Sequence, residues 1–187
     1  MIRSSIRNIF ASLSLLTVLA TGVTSCSGDA DFTYSSLPAR FVFENVFQAP
    51  VLNVACNSMG EFCSITSDGK QFIFKGSSRE PSYVPLTAIN GYSGFYLGLS
   101  GLIVGLPDRP EMGKTESQVV CFDLACPNCY RDYNITKPLV LQAGGNATCN
   151  SCKRTYELNN AGYCPTGKKL ERYRVSFLNN TLVVSNR

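Results

Sequence analysis

The sequence predicts an all-β protein, an antiparallel β-sandwich or small barrel, on three observations. Short runs rich in β-branched and aromatic residues recur along the chain, and turn-forming residues separate them. No window of residues 35–187 keeps a 3.6-residue apolar period over three turns. Many short strands at this spacing suit a sandwich or barrel rather than a parallel α/β sheet. An apolar content of 44%, with 11 Phe and 9 Tyr, is enough to build a core.

In chain order the predicted strands are 41–47, 51–56, 71–75, 94–99, 102–106, 118–124, 139–142, 171–177 and 181–185. Asp68-Gly69 lies between Ser64-Ile65-Thr66 and Gln71-Phe72-Ile73-Phe74. Both turn positions tolerate positive φ, which makes the dipeptide a strong hairpin signal. Asn179-Asn180 does the same between Tyr173–Phe177 and Thr181–Val184. Residues 107–117, with Pro107, Pro110 and Gly113, read as a loop interrupting the strands. The chain has no internal repeat and no low-complexity tract.

The N-terminus reads as an address. Residues 1–8 carry Arg3 and Arg7 without an acid, and the apolar run Ile9–Ala20 follows. A bilayer-spanning helix needs ~20 apolar residues, so this run fits the core of a signal peptide instead. It ends in Val23-Thr24-Ser25-Cys26, which resembles the lipobox of bacterial lipoproteins, where cleavage leaves the cysteine first and acylated. On this reading residues 1–25 are a lipoprotein signal peptide and Cys26 is the lipidation site. Residues 26–38 are a polar tether, and 39–187 form the folded domain, with a metal-loop part over about 118–165. The protein is then exported and held on a bacterial membrane, at its periplasmic or surface face, by buried acyl chains. The alternative is a plain secretory signal with an incidental cysteine. The acidic stretch Ser27–Asp31 resembles surface-export signals of Bacteroidetes lipoproteins.

Charge and composition exclude several classes. The chain has 17 Lys+Arg against 13 Asp+Glu, and Arg3 and Arg7 fall in the signal, so the rest is close to neutral. Without a block of like charge, no nucleic-acid or anionic-surface partner is expected. The chain has no histidine. That removes Ser-His-Asp triads, Cys-His pairs and His-ligated metals. Asp123, Asp132 and Glu157 show no pairing suited to acid–base work and read as strand and loop surface. No catalytic constellation is left, and no enzyme activity is expected.

Four of the nine cysteines carry the sharpest signal. Cys126-Pro127-Asn128-Cys129 is followed after 19 residues by Cys149-Asn150-Ser151-Cys152. A C-x-x-C turn aims two thiolates at one point while nearby backbone N–H groups can donate to the sulfurs. Two such turns complete a tetrahedron for Zn²⁺ or Fe, or the corners of an iron–sulfur cluster. The competing reading is oxidative, since cysteines of exported proteins often pair as disulfides. A thiol–disulfide exchange motif would need a βαβ context, which the pattern lacks.

Three stretches then become familiar: Val119–Cys129, Cys149–Leu158 and Gly162–Val175, with Thr181–Val184 ending the chain's last hairpin. Together they resemble the Rieske domain, with its two metal-binding loops, its proline-containing loop and its terminal hairpin. The resemblance covers 118–187 well and 41–106 as the preceding strands. It looks closest to Rieske-like lipoproteins of Bacteroidetes. It implies a Rieske-like sandwich with a cysteine-loop subdomain. Cys126 and Cys149 match the family's two cysteine ligands, and Cys152 falls at the second histidine. Cys129 lies one residue beyond the place of the first histidine. Rieske clusters owe their high potential to two histidines on one iron. With none here, the resemblance implies an all-thiolate site of Cys126, Cys129, Cys149 and Cys152, holding Zn²⁺, mononuclear Fe or a 2Fe-2S cluster. The role implied is an electron-transfer module with a redox partner protein. The alternative is a structural or interaction module stapled by zinc or disulfides. An oxygenase is excluded, because that activity needs His-ligated iron in a separate domain.

The remaining cysteines have plainer readings. Cys56 and Cys63 flank a turn, and either bridge as a disulfide across a hairpin or stay as buried thiols. Cys121 reads as a core thiol. Cys164, in the proline loop, covers the site or bonds to Cys121. Tyr130, Tyr133 and Tyr156 are expected to shield the sulfurs.

Overall fold

The computed structural model describes residues 34–87, 94–111 and 113–186. The expected signal peptide, the lipidation site Cys26 and most of the tether lie outside these residues. The described chain is mostly β. Twelve strands run β1 (Ala39–Phe43), β2 (Glu61–Ser67), β3 (Gln71–Gly76), β4 (Ser82–Pro85), β5 (Tyr96–Leu97), β6 (Leu102–Leu106) and β7 (Val120–Asp123). They continue with β8 (Leu139–Gln142), β9 (Asn146–Cys149), β10 (Thr155–Glu157), β11 (Arg172–Leu178) and β12 (Thr181–Ser185). Two short helices, α1 (Pro50–Asn57) and α2 (Pro127–Tyr133), interrupt them.

Nine strands form one antiparallel sheet in the order β4-β3-β2-β6-β7-β11-β12-β1-β5. Its ends do not join, so the sheet is not a closed barrel. It folds over on itself instead. Phe41 on β1 meets Phe72 on β3 edge-on, 5.1 Å between ring centres, although five strands separate them in the sheet. The hand-over is made by β11, whose first residues pair with β7 and whose later ones pair with β12. Strands that turn a corner in this way let one sheet supply two facing layers. Phe41, Phe43, Phe72 and Phe74 fill the space between them with Leu52, Ile65 and Leu182.

Both predicted hairpin turns are present. Gly69 has φ +84°, and the Asp68 carboxylate accepts from the backbone N–H groups of Lys70 and Gln71 at 2.8 and 2.9 Å. Asn179 and Asn180 take φ +49° and +60°, the paired positive values of a two-residue hairpin loop whose twist matches its strands.

Two expectations are corrected here. Residues 51–56 are not a strand but most of α1, which starts on Pro50 and buries Val51, Leu52, Ala55 and Cys56 on one face. Its eight residues are too few to display a helical period. The other correction concerns the Cys56–Cys63 bridge. All eight described cysteines are free thiols. Cys56 is on the helix, and the hairpin partner of Cys63 is Gly76 on β3, so the two cysteines do not face each other across a hairpin. Both thiols are buried, and burial raises Cys56 to about 12.

A second, three-stranded antiparallel sheet in the order β10-β9-β8 carries the second cysteine loop, and the first runs from β7 of the large sheet into β8. It closes over its own apolar cluster, where Phe62, Ile103, Val120, Phe122 and Leu124 meet Leu139, Ala147, Tyr156 and Leu158. Cys126, Cys129, Cys149 and Cys164 belong to this cluster too.

Candidate metal centre

Each C-x-x-C loop starts where a strand runs out. After β7 the chain makes a single bridge, Ala125 to Pro138, and Cys126 then caps α2 with Pro127 in the first turn. Proline suits that position because its fixed φ is helical and no N–H is needed there. The helix ends at Asn134 in the left-handed region, φ +54°. The second loop starts at Cys149, the last residue of β9. Lys153 takes φ +60° and turns the chain back, so that the Cys149 N–H donates to the Arg154 carbonyl at 3.0 Å.

This geometry brings all four sulfurs together. The thiols of Cys126, Cys129, Cys149 and Cys152 lie within 4.8 Å of one another. The short contacts run between the loops: Cys126 Sγ to Cys152 Sγ is 3.6 Å, and Cys129 Sγ to Cys149 Sγ is 3.7 Å. Cys126, Cys129 and Cys149 are buried and Cys152 is half-buried.

Four thiols at this density cannot all ionise alone. Burial, reinforced by the other thiols, pushes Cys129 up to about 12, and burial also raises Cys126. Cys152 goes the other way. Burial opposes its ionisation, but the Arg154 backbone N–H, the thiols of Cys126 and Cys149 and the Arg154 guanidinium bring it to about 7. A bound cation would supply the missing charge to the other three, so metal uptake and thiol deprotonation are one event. The donor set fits soft or borderline metals. A metal–sulfur bond of ~2.3 Å implies a tetrahedral edge of about 3.8 Å, close to the two short sulfur contacts.

Two residues behind the sulfurs have roles that the sequence did not reveal. Asn128 is 3% exposed and donates from Nδ2 to the Tyr156 hydroxyl oxygen at 2.8 Å. Its Oδ1 accepts from the Lys168 N–H at 3.0 Å, fastening the proline loop to the first cysteine loop. A Cβ on Gly167 would lie 2.6 Å from the Asn128 amide, so this crossing requires glycine. Asp123 is fully buried, not at the surface as expected. It accepts from the Tyr173 hydroxyl at 2.6 Å, the Leu99 N–H at 2.8 Å and the Ala125 N–H at 2.7 Å. Burial raises its pKa, against the lowering effect of these donors. Its role is to fix the approach to Cys126. An Asp before a C-x-x-C after an apolar strand is the only sequence cue to it.

The other expectations divide. Tyr156 is buried, with its hydroxyl 3.0 Å from the Cys126 sulfur, as a shield should be. Tyr133 is 70% exposed and shields nothing. Cys164 is buried beside the loops and Cys121 lies in the main core, both as free thiols.

No protein-family model matches the chain, and no curated protein matches it.

Proposed function

We propose that this chain is a Rieske-like, lipid-anchored exported protein in which Cys126, Cys129, Cys149 and Cys152 hold one metal ion for electron transfer. The observation that carries the reading is the size of the sulfur cage. Two irons bridged by sulfides would hold the two thiolate pairs farther apart than a single ion holds its four ligands. The four sulfurs here all lie within 4.8 Å of one another. That spacing favours a single tetrahedral ion over a 2Fe-2S cluster. Iron bound there would supply one-electron chemistry. The residues do the rest: the loops fix the geometry, the Tyr156 hydroxyl donates to the Cys126 sulfur, and half-buried Cys152 brings the centre to the surface.

The Rieske-like reading is supported by the arrangement of parts. One cysteine loop joins the large sheet to the small one, the other lies between β9 and β10 of the small sheet, a proline loop packs on the first of them, and the β11–β12 hairpin follows. The anchor reading rests on the N-terminal sequence, and it predicts that Cys26→Ala protein leaves the membrane fraction.

One observation favours a second reading. Four protein thiolates, three of them buried, fill a tetrahedral shell and leave no position for a substrate, which suits structural zinc. Metal analysis and the visible spectrum of purified protein separate the two. One iron per chain, with visible absorbance lost on reduction, supports electron transfer. Colourless protein with one zinc supports the staple. Two irons with labile sulfide would overturn the single-ion reading, and metal-free protein without free thiols in these loops would overturn both.

A further inference from the structure

We propose that the outer face of strands β5, β1, β12 and β11 lies on the bilayer surface, its arginines against anionic phospholipid headgroups and its apolar centre at the boundary of the acyl chains. The proposal rests on the anchor reading above and goes beyond it, from a tethered protein to one that presents a particular face to the lipid.

The face is built by alternation along β1, where Arg40 and Val42 point outward between the buried Ala39, Phe41 and Phe43. Register partners continue both rows across the layer. Val42 lies opposite Val183 on β12. Arg40 lies opposite Tyr96 on β5 and Ser185 on β12, and Arg174 on β11 follows on the far side of Ser185. Val42, Tyr96 and Val183 are all exposed, and with Arg40 they line one shallow groove. The other layer differs. On β6 and β7 the register partners Ile103 and Phe122 are buried in the cluster beneath the small sheet.

The tether decides what meets the exposed face. Tyr34 follows Cys26 by eight residues, a reach of at most roughly 29 Å when fully extended. The chain enters the fold beside the arginine row: the Arg174 guanidinium lies over the Tyr34 ring at 4.8 Å, and the Ser35 N–H donates to the Arg172 carbonyl at 2.7 Å. An acylated Cys26 therefore keeps Arg40 and Arg174 within reach of the headgroups. Guanidinium groups pair with phosphate, and tyrosine rings suit the headgroup level, apolar on one side and wet on the other. The next residue in the alternation, Glu44, falls past the end of β1, away from Tyr34.

The chain has no tryptophan, so a single introduced one reports on a single place. Full-length protein processed in a bacterial host, carrying Tyr96→Trp or Val183→Trp, is reconstituted into vesicles of phosphatidylethanolamine and phosphatidylglycerol with bromine on the acyl chains. Tyr83→Trp, exposed on β4 of the other layer, is the reference, and two positions on the face guard against one variant that fails to fold. Both face variants should be quenched about twofold more than the reference, because an interfacial face sits at the acyl boundary. Adding Arg40→Gln and Arg174→Gln should lower that quenching, and unchanged quenching would overturn the role given to the arginines. Equal quenching at all three positions, in protein that floats with the vesicles, overturns the proposal and leaves the anchor standing. Protein that does not float overturns the anchor reading and the proposal with it. Emission from the face that is shielded without lipid, increasingly with protein concentration, places a second copy there and also overturns the proposal.

Discussion

The Tyr156 hydroxyl lies 3.0 Å from the Cys126 sulfur, joining two residues 30 apart in the sequence behind the cysteine cage. The direction of this bond follows from its neighbour. The Asn128 amide donates to the Tyr156 oxygen at 2.8 Å, which leaves the phenolic O–H to donate to sulfur. Tyr156→Phe removes that donor and strips the buried Asn128 amide of a partner. A hydrogen bond to a charged group supports a loss of about 2 kcal/mol. Urea unfolding of the metal-loaded protein should show it as a lower midpoint with an unchanged slope.

Cysteine substitutions should divide by location. Cys149 contributes a sulfur to the cage, and Cys121 fills the core between the layers. Losing a ligand removes metal-binding free energy that is also folding free energy. Cys149→Ala should therefore release the metal and lower the melting temperature far more than Cys121→Ala, whose buried-volume loss costs about 1 to 2 kcal/mol. Equal melting shifts, or full metal content in the Cys149 variant, would contradict the cage.

The sequence shows this division only in part, for physical reasons. Local signals carry through: Asp68-Gly69 and Asn179-Asn180 mark their turns because few residues tolerate positive φ. The C-x-x-C spacing marks the four sulfurs that come together, because each such turn aims two thiols at one point. Residues 51–56 mislead because two helical turns of Val, Leu, Ala and Cys show no distinguishing period. Strands β9 and β10, four and three residues long, are too short to stand out between turns. Asn128 and Asp123 acquire their roles only in three dimensions. Their partners Lys168 and Tyr173 lie 40 and 50 residues away in the chain.

Asp123 yields a prediction of its own. Asp123→Ala would orphan the N–H groups of Leu99 and Ala125 and the Tyr173 hydroxyl, all close to the run into Cys126. Each buried donor left unpaired costs about 1 to 3 kcal/mol, so a loss of roughly 3 kcal/mol or more is expected. A surface carboxylate would show almost none, and denaturant unfolding distinguishes the two.

The cage should also titrate unevenly once the metal is removed. In reduced, metal-free protein, iodoacetamide should label Cys152 with a midpoint near pH 7, while Cys129, raised to about 12, stays unlabelled. The sign for stability follows from the same shift. The folded value of Cys152 lies below its ordinary 9.0, so its contribution is present above pH 9 and is lost as pH falls through 7. Cys152→Ser should abolish both the labelling and this part of the pH dependence. Peptide mapping after alkylation at pH 6, 7 and 8 checks the first of these.

Oxidation of the metal-free protein offers the most direct view of the cage. The short sulfur contacts join the loops, Cys126 to Cys152 at 3.6 Å and Cys129 to Cys149 at 3.7 Å. A disulfide forms when a thiolate attacks, and each pair gives up two electrons and two protons to the added oxidant. Cys152 is the thiol nearest to ionisation and the most exposed of the four, so it should attack first. Its closest sulfur neighbour is Cys126, so the first disulfide should link residues 126 and 152, and the second should link 129 and 149. Bound metal should block both, because its ligands are neither free nor mobile. Mass spectrometry of peptides from protein oxidised with diamide, with and without zinc, reads out the pairing. Disulfides confined within each C-x-x-C, formed equally fast with zinc present, would mean that the two loops do not share an ion.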